Sequence, residues 1–305
     1  MIENNLCGFL WAPCCEYYND ILKEINRKYP VFNYYIYKYN NRKDFEDIVL
    51  KIYSTDDIDP NKVKNIKLKS MKDNEFIYFT FYIKNPTFRK KGNGNDICVD
   101  IEKIKKEIRD KYKSKINNYV HDIIIHMCDN FEQNKQIKNI MLKYNYIEQY
   151  INVKYLIYCN YDNDVFKRVD MLVRKYSIEQ YMKNNDYNFS LYLKMQKLRI
   201  GENDGKNTHI KFKKLINDLE NVDIDIPIEY ENKYMLRNGS HRLAIYYYKD
   251  KQFIKCSKLI NYKSEGSKIC NYDLDWFKNK FSNSELNIIE NEISKLKVYM
   301  IKFFS

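Results

Sequence analysis

The run LCGFLWAP (residues 6–13) is apolar and closes on Pro13, which has no N–H to give a sheet ladder, so it predicts a short strand. In CCEYYNDILKEINRKY the apolar positions Tyr18, Ile21, Leu22 and Ile25 recur at helical spacing, and VFNYYIYKY (31–39) then alternates as a strand does. A helix is expected through DFEDIVLKIYS (44–54), a turn and short helix through DDIDPNKVKN, and the strongest strand at FIYFTFYIKNP (76–86), ended by Asn85 and Pro86. Residues 87–99, with GNGND at the centre, read as a surface loop. A charged helix from 100 to 120 leads to DIIIH, where three β-branched isoleucines, Ile123 to Ile125, suit a buried strand. NFEQNKQIKNIMLKY (130–144) has the spacing of an amphipathic helix, with Asp129 and Asn130 as capping residues.

Helix and strand therefore alternate through residues 1–150, and the expected architecture is an α+β sandwich with helices on one face of a small sheet. Residues 151–190 read as a connecting segment. From 191 to 305 the pattern is a helix THIKFKKLINDLEN, a short strand within IPIEYENKYML, a helix HRLAIYYYKD, a strand FIKCSKLI and a closing helix in SNSELNIIENEISKL. No internal repeat interrupts it. A length of 305 residues also favours two domains, because single cores usually span roughly 100 to 200 residues.

Composition changes this picture little. The 53 basic and 41 acidic residues leave a net charge of +12, which favours phosphorylated partners only where it is clustered, and in KKEIRDKYKSK (105–115) acids are interspersed. Eight cysteines show neither a CxxC pair nor zinc spacing, so free thiols in a reducing compartment are expected. The N-terminal residues lack the basic start and apolar core of a secretory signal, and no run reaches the roughly 18 apolar residues of a membrane span. A cytoplasmic protein without a membrane partner is the expectation.

The clearest local signal is YMLRNGSHRLAIYYY (234–248). Asn238 and Gly239 make a tight turn after a strand, Ser240 is a good N-cap, and the next helix begins near His241. Free N–H groups at such a helix start suit a phosphate, and Arg242 adds a bidentate donor. With this motif the chain resembles the ParB/sulfiredoxin-like superfamily, whose mark is an acid or Asn, Gly, two residues and Arg after a strand, followed here by the small Ala244. The upstream order, QKLRIG (196–201), a helix and PIEYENKYML, is similar as well, and the resemblance covers about residues 190–265. It implies a ParB/sulfiredoxin-like α+β domain over 191–305, with Asn238, Gly239, Ser240, His241 and Arg242 holding nucleotide phosphates.

A second likeness begins with His126. EIRDKY (107–112) followed by DIIIHMCDNFEQ resembles the end of nucleoside diphosphate kinases, where an I-R segment precedes a strand ending in I-H-G-S-D. That resemblance implies a ferredoxin-like fold for 1–150, with His126 as a phosphoryl-accepting nucleophile and Arg109 as a phosphate ligand. Met127 and Cys128 stand where that family has glycine and serine. Without the resemblance, His126 reads as a structural imidazole at a strand end. Asp56, Asp57 and Asp59 in STDDIDP are carboxylates at a spacing open to a divalent ion, although a capped loop is the favoured reading.

Both likenesses concern phosphate, so the leading expectation is a kinase-like phosphotransferase using ATP or another nucleotide with Mg2+ and acting on a small molecule or glycan precursor. Glu202 and Asp204 in IGENDG are its candidate base or metal ligands. The alternatives are a ParB-like nucleic-acid-binding protein or nuclease, and a nucleotide-binding protein without catalysis.

Overall fold

A computed structural model describes residues 5–92, 94–120, 123–201, 208–221, 228–231, 235–236, 239–258 and 271–304. The fold is mixed α+β, and the chain divides into two compact units, Met1–Tyr150 and Ile151–Ser305.

In the first unit, strands β1 (Asn5–Trp11), β2 (Val31–Lys38), β3 (Glu75–Tyr82) and β4 (Ile125–Met127) lie in the order β2-β3-β1-β4, with each of these neighbours antiparallel. Helix α1 (Tyr18–Lys28) connects β1 to β2, α2 (Arg42–Tyr53) follows β2, α3 (Val99–Tyr112) precedes β4, and α4 (Phe131–Met141) follows it. Leu6, Cys7, Phe9, Leu10 and Trp11 of β1 are all fully enclosed. A strand apolar on both of its faces needs cover on both sides, and the sheet has it.

On one face, Phe9 stacks on Trp11 at 5.3 Å, and Trp11 stacks on Tyr53 of α2 at 5.6 Å. On the other, Phe81 meets Tyr29, just beyond α1, and Tyr112 of α3 donates a 2.8 Å hydrogen bond to Glu24 of α1. Helices on both faces correct the one-faced sandwich expected above. The cause is visible in β1 itself, whose run LCGFLW does not alternate with polar residues.

Two local readings change as well. Residues 87–99 hold a short antiparallel hairpin, Phe88–Lys90 with Asp96–Cys98, instead of an open loop. The strand expected at Ile123–Ile125 is displaced toward its C-terminal end, so His126 is its middle residue, paired with Phe9, while Ile123 and Ile124 are buried ahead of it. Asn130 caps α4 as expected, its side chain accepting from the Gln133 N–H at 2.9 Å.

The second unit centres on α5 (Val169–Lys183), enclosed on all sides at its start: Val169, Asp170, Met171, Leu172, Val173 and Arg174 are buried. The segment 151–190, read from sequence as a connection, thus supplies core to this unit. Helices α6 (Ser190–Ile200) and α7 (Thr208–Asn221) follow, then a hairpin of β5 (Ile228–Glu231) and β6 (Met235–Leu236). Helix α8 (Ser240–Tyr248) leads from β6 toward β7 (Phe253–Lys258), which pairs parallel with β5, and the long helix α9 (Asn283–Phe304) closes the unit. Among the described residues no helix is long and apolar enough to cross a membrane.

Candidate anion-binding site

Gly239 precedes α8 with φ of 90°, a left-handed conformation that a side chain disfavours, so glycine suits the sharp entry into the helix. Leu243, Ala244 and Ile245 are buried and anchor α8. Its first turn, Ser240 to Arg242, is half-buried. The N–H groups and positive dipole end of that turn form the backbone part of the site.

Around it stands a set of arginines from two other helices. Arg168, just before α5, donates to both Asp170 and the Ser240 hydroxyl. Arg174, one turn further along α5, donates to the Asp170 carboxylate at 2.7 Å, and the Arg199 guanidinium of α6 lies 3.7 Å from the same carboxylate. Gln196 accepts from Arg174 at 3.1 Å and from Arg199 at 2.8 Å. Arg199 also lies over the Tyr272 ring, 4.3 Å from its centroid. On α8, His241 Nε2 is 2.8 Å from the Tyr192 hydroxyl, and its ring packs edge-on against Phe212 at 4.8 Å.

One carboxylate is therefore shared by three guanidiniums. Burial alone would raise the Asp170 carboxyl, but Arg168 and Arg174, with Arg199, overcome that and hold it well below the usual carboxylate range. Burial lowers the Arg174 guanidinium to about 10, Arg199 and Arg168 pushing the same way against Asp170. His241 is held well below its ordinary value, first by burial and then by Arg174 and Arg199, so it is a neutral imidazole. The Nε atoms of Arg174 and Arg199 are buried without an acceptor among the described residues. Buried donors without acceptors are costly.

The first unit holds a different arrangement. His126 lies between Phe9, at 6.0 Å, and Tyr53, at 4.9 Å, and only 6 % of it is exposed. Its Nε2 is 3.6 Å from the Asp56 carboxylate, and Gln133 donates to Asp56 and to the Thr55 hydroxyl. Lys67, the last residue of a π-helical turn, is buried over the Tyr53 ring at 4.4 Å. Burial lowers the His126 pKa, Asp56 resisting while Lys105 and Lys67 add to the fall, so this ring too is neutral.

Arg109 does not reach that pocket. It projects from α3, on the α1 side of the sheet, and donates to the Ile125 carbonyl at 3.0 Å, whereas the His126 ring is on the α2 side. Residues 125 and 126 of one strand point to opposite faces, so the pair that the kinase resemblance implies is not brought together.

The structure does bring together Ser240, His241 and two residues of QKLRIG, Gln196 and Arg199. Asn238, Glu202 and Asp204 lie outside the described residues. Asp59 caps the short helix at Pro60, accepting from the Asn61 N–H at 2.9 Å, while Asp56 turns to His126. Sequence reasoning missed Arg168, Asp170 and Arg174. Their one signal was the R-x-D-x-x-x-R spacing, which sets Asp170 and Arg174 one turn apart on a helix otherwise rich in apolar residues. Among the described residues no group of three or more His, Cys, Asp or Glu side chains is placed to hold a metal ion. Comparison with protein-family models, with curated proteins and with solved structures finds no match to this chain.

Proposed function

We propose that the chain is a nucleotide-dependent phosphotransferase whose second unit, a ParB/sulfiredoxin-like domain, holds the phosphates of the nucleotide at the start of α8. The observation that carries this reading is the convergence of Arg168, Arg174 and Arg199 on one carboxylate beside Ser240. Phosphoryl transfer needs little covalent chemistry from a protein; it needs positioning and neutralisation of charge on the transferred group. Guanidiniums fixed by Asp170 and Gln196 and N–H groups fixed by α8 meet both needs without reorganising.

The path of the chain also supports the reading. A hairpin, a glycine turn, a helix and a return strand parallel to the first hairpin strand follow the order that the NGSHR resemblance implies. For the first unit, the antiparallel order β2-β3-β1-β4 with helices α1 and α3 on one face supports a ferredoxin-like reading. His126 is assigned no transfer step here, because a ring enclosed by Phe9 and Tyr53 offers an incoming phosphoryl group no approach. Glu202 and Asp204, next after Arg199 and Gly201 in the chain, are the proposed base residues for the acceptor hydroxyl. Asp170 has its carboxylate taken by guanidiniums, so Mg2+ finds no ligand set among the described residues, and no step is routed through the ion.

The test is ATP turnover and thermal stabilisation by ATP with Mg2+, in the wild type and in Arg199→Ala and Ser240→Ala. Both signals are expected in the wild type and weakened in the variants. A wild type that neither binds nor turns over any nucleoside triphosphate sinks the proposal.

A further inference from the structure

We propose that the second unit binds a free α-amino acid with a large apolar side chain, in the cavity that the 161–166 hairpin, the start of α5 and the middle of α9 enclose. The cavity has a volume of about 210 Å³, below the roughly 300–1,000 Å³ of sites for drug-sized ligands, so its occupant is small. Backbone bonds build its walls. Tyr161–Asp162 pairs antiparallel with Val165–Phe166, the Val169 N–H donates to the Tyr272 carbonyl at 2.9 Å, and the Tyr272 N–H donates to the Lys167 carbonyl at 3.1 Å. Val165, Phe166, Val169, Leu274 and Ile293 line the space so formed, and an apolar side chain placed there leaves water for apolar contact.

Three polar groups on this cavity have no hydrogen-bond or ion partner among the described residues: the buried Tyr161 hydroxyl, the Asp164 carboxylate and the Lys297 ammonium. The other two acids of the lining are already engaged. Asp273 accepts from the Trp276 N–H at 3.1 Å and from Asn271 at 2.7 Å, with Lys167 4.0 Å away, and Asp275 pairs with Lys278 at 3.1 Å. One anion, one cation and one hydroxyl thus border an apolar space. An α-amino acid carries an ammonium and a carboxylate on the carbon that bears its side chain, and so answers all of them, whereas a simple amine or a simple acid leaves one charge unmatched. The position of Asp164 is set by its turn. Asn163 and Asp164 both have positive φ, 46° and 63°, the combination of a two-residue hairpin turn, which Asn and Asp tolerate. Asp164→Asn therefore keeps the turn and removes the charge.

Isothermal titration calorimetry on the full chain tests this with L-phenylalanine, L-leucine, glycine, phenethylamine, which keeps only the ammonium, and 3-phenylpropionate, which keeps only the carboxylate. L-Phenylalanine and L-leucine are expected to bind with Kd at or below about 1 mM, and at least about tenfold more tightly than the other three. Asp164→Asn should weaken L-phenylalanine about tenfold and leave 3-phenylpropionate unchanged; Lys297→Gln should weaken L-phenylalanine and leave phenethylamine unchanged. Tyr161→Phe, which keeps the ring 5.0 Å from Phe166, should hold the melting temperature and weaken the amino acids. No binding of either apolar amino acid overturns the inference, as does glycine binding equally well or an affinity unchanged in both charge variants. Phenethylamine binding more tightly than L-phenylalanine overturns it too and makes the cavity an amine site.

Discussion

The Tyr192 hydroxyl lies 2.8 Å from His241 Nε2, joining α6 to the first turn of α8. This bond fixes the orientation of the imidazole, which burial first, and then Arg174 and Arg199, hold neutral. In Tyr192→Phe the ring packing against Phe189 and Phe212 is retained while the His241 nitrogen loses its partner. A loss of about 1–2 kcal/mol in unfolding free energy is expected from urea titration. Unchanged stability would mean that water replaces the hydroxyl.

Asp170 balances the arginines, so its neutralisation should be costly. Asp170→Asn keeps the shape and removes the charge, and truncating one partner of a buried pair typically costs about 3–5 kcal/mol. Because the folded-state pKa is depressed, the carboxylate's contribution is present above its ordinary value and lost as pH falls below about 4. The stability gap between wild type and Asp170→Asn is therefore expected near pH 7 and should narrow below about pH 4. Denaturation curves at both pH values would read it.

His126 and His241 are both held neutral, which gives stability a second pH dependence. With folded-state values below the unfolded one, stability is retained above about pH 6.5 and falls as pH drops toward 5, where only the unfolded chain takes up the protons freely. His126→Phe preserves an aromatic ring between Phe9 and Tyr53, so the fall between about pH 7 and 5 should become shallower. An identical pH slope in the variant would show that His126 is not one of the groups responsible.

Gly8 tests the sheet itself. A Cβ there would come within 2.5 Å of the Phe79 ring and 2.9 Å of Met127 Cγ, both in fully enclosed side chains. Overpacking of this kind costs about 1–3 kcal/mol. Gly8→Ala should lower the melting temperature, read by thermal denaturation beside the wild type.

The outline of the first unit was legible because its elements announce themselves locally. Ile21, Leu22 and Ile25 gave α1 its buried stripe, with Tyr18 half-buried at its start, the β-branched and aromatic residues of 31–38 and 75–82 gave two strands, and Asn130 marked the start of α4. His126 was noticed for its place after the isoleucines, but Asp56 is 70 positions away, and nothing in STDDIDP singles it out as the partner. The isoleucine run also concealed the register. Ile123 and Ile124 are buried without joining the strand, and one residue of displacement decides which face His126 occupies.

By itself the sequence determined the order of helices and strands, the glycine turn before Ser240 and the abundance of basic residues, since these follow from periodicity, backbone restriction and composition. The tertiary structure alone decided that Arg168, Arg174 and Arg199 share Asp170, that Arg168 also reaches Ser240, and that Arg109 and His126 fall on opposite faces of a sheet. Periodicity says which side of an element is buried. Which charged groups are buried together is set by how distant segments pack, and there desolvation decides which of them must be paired.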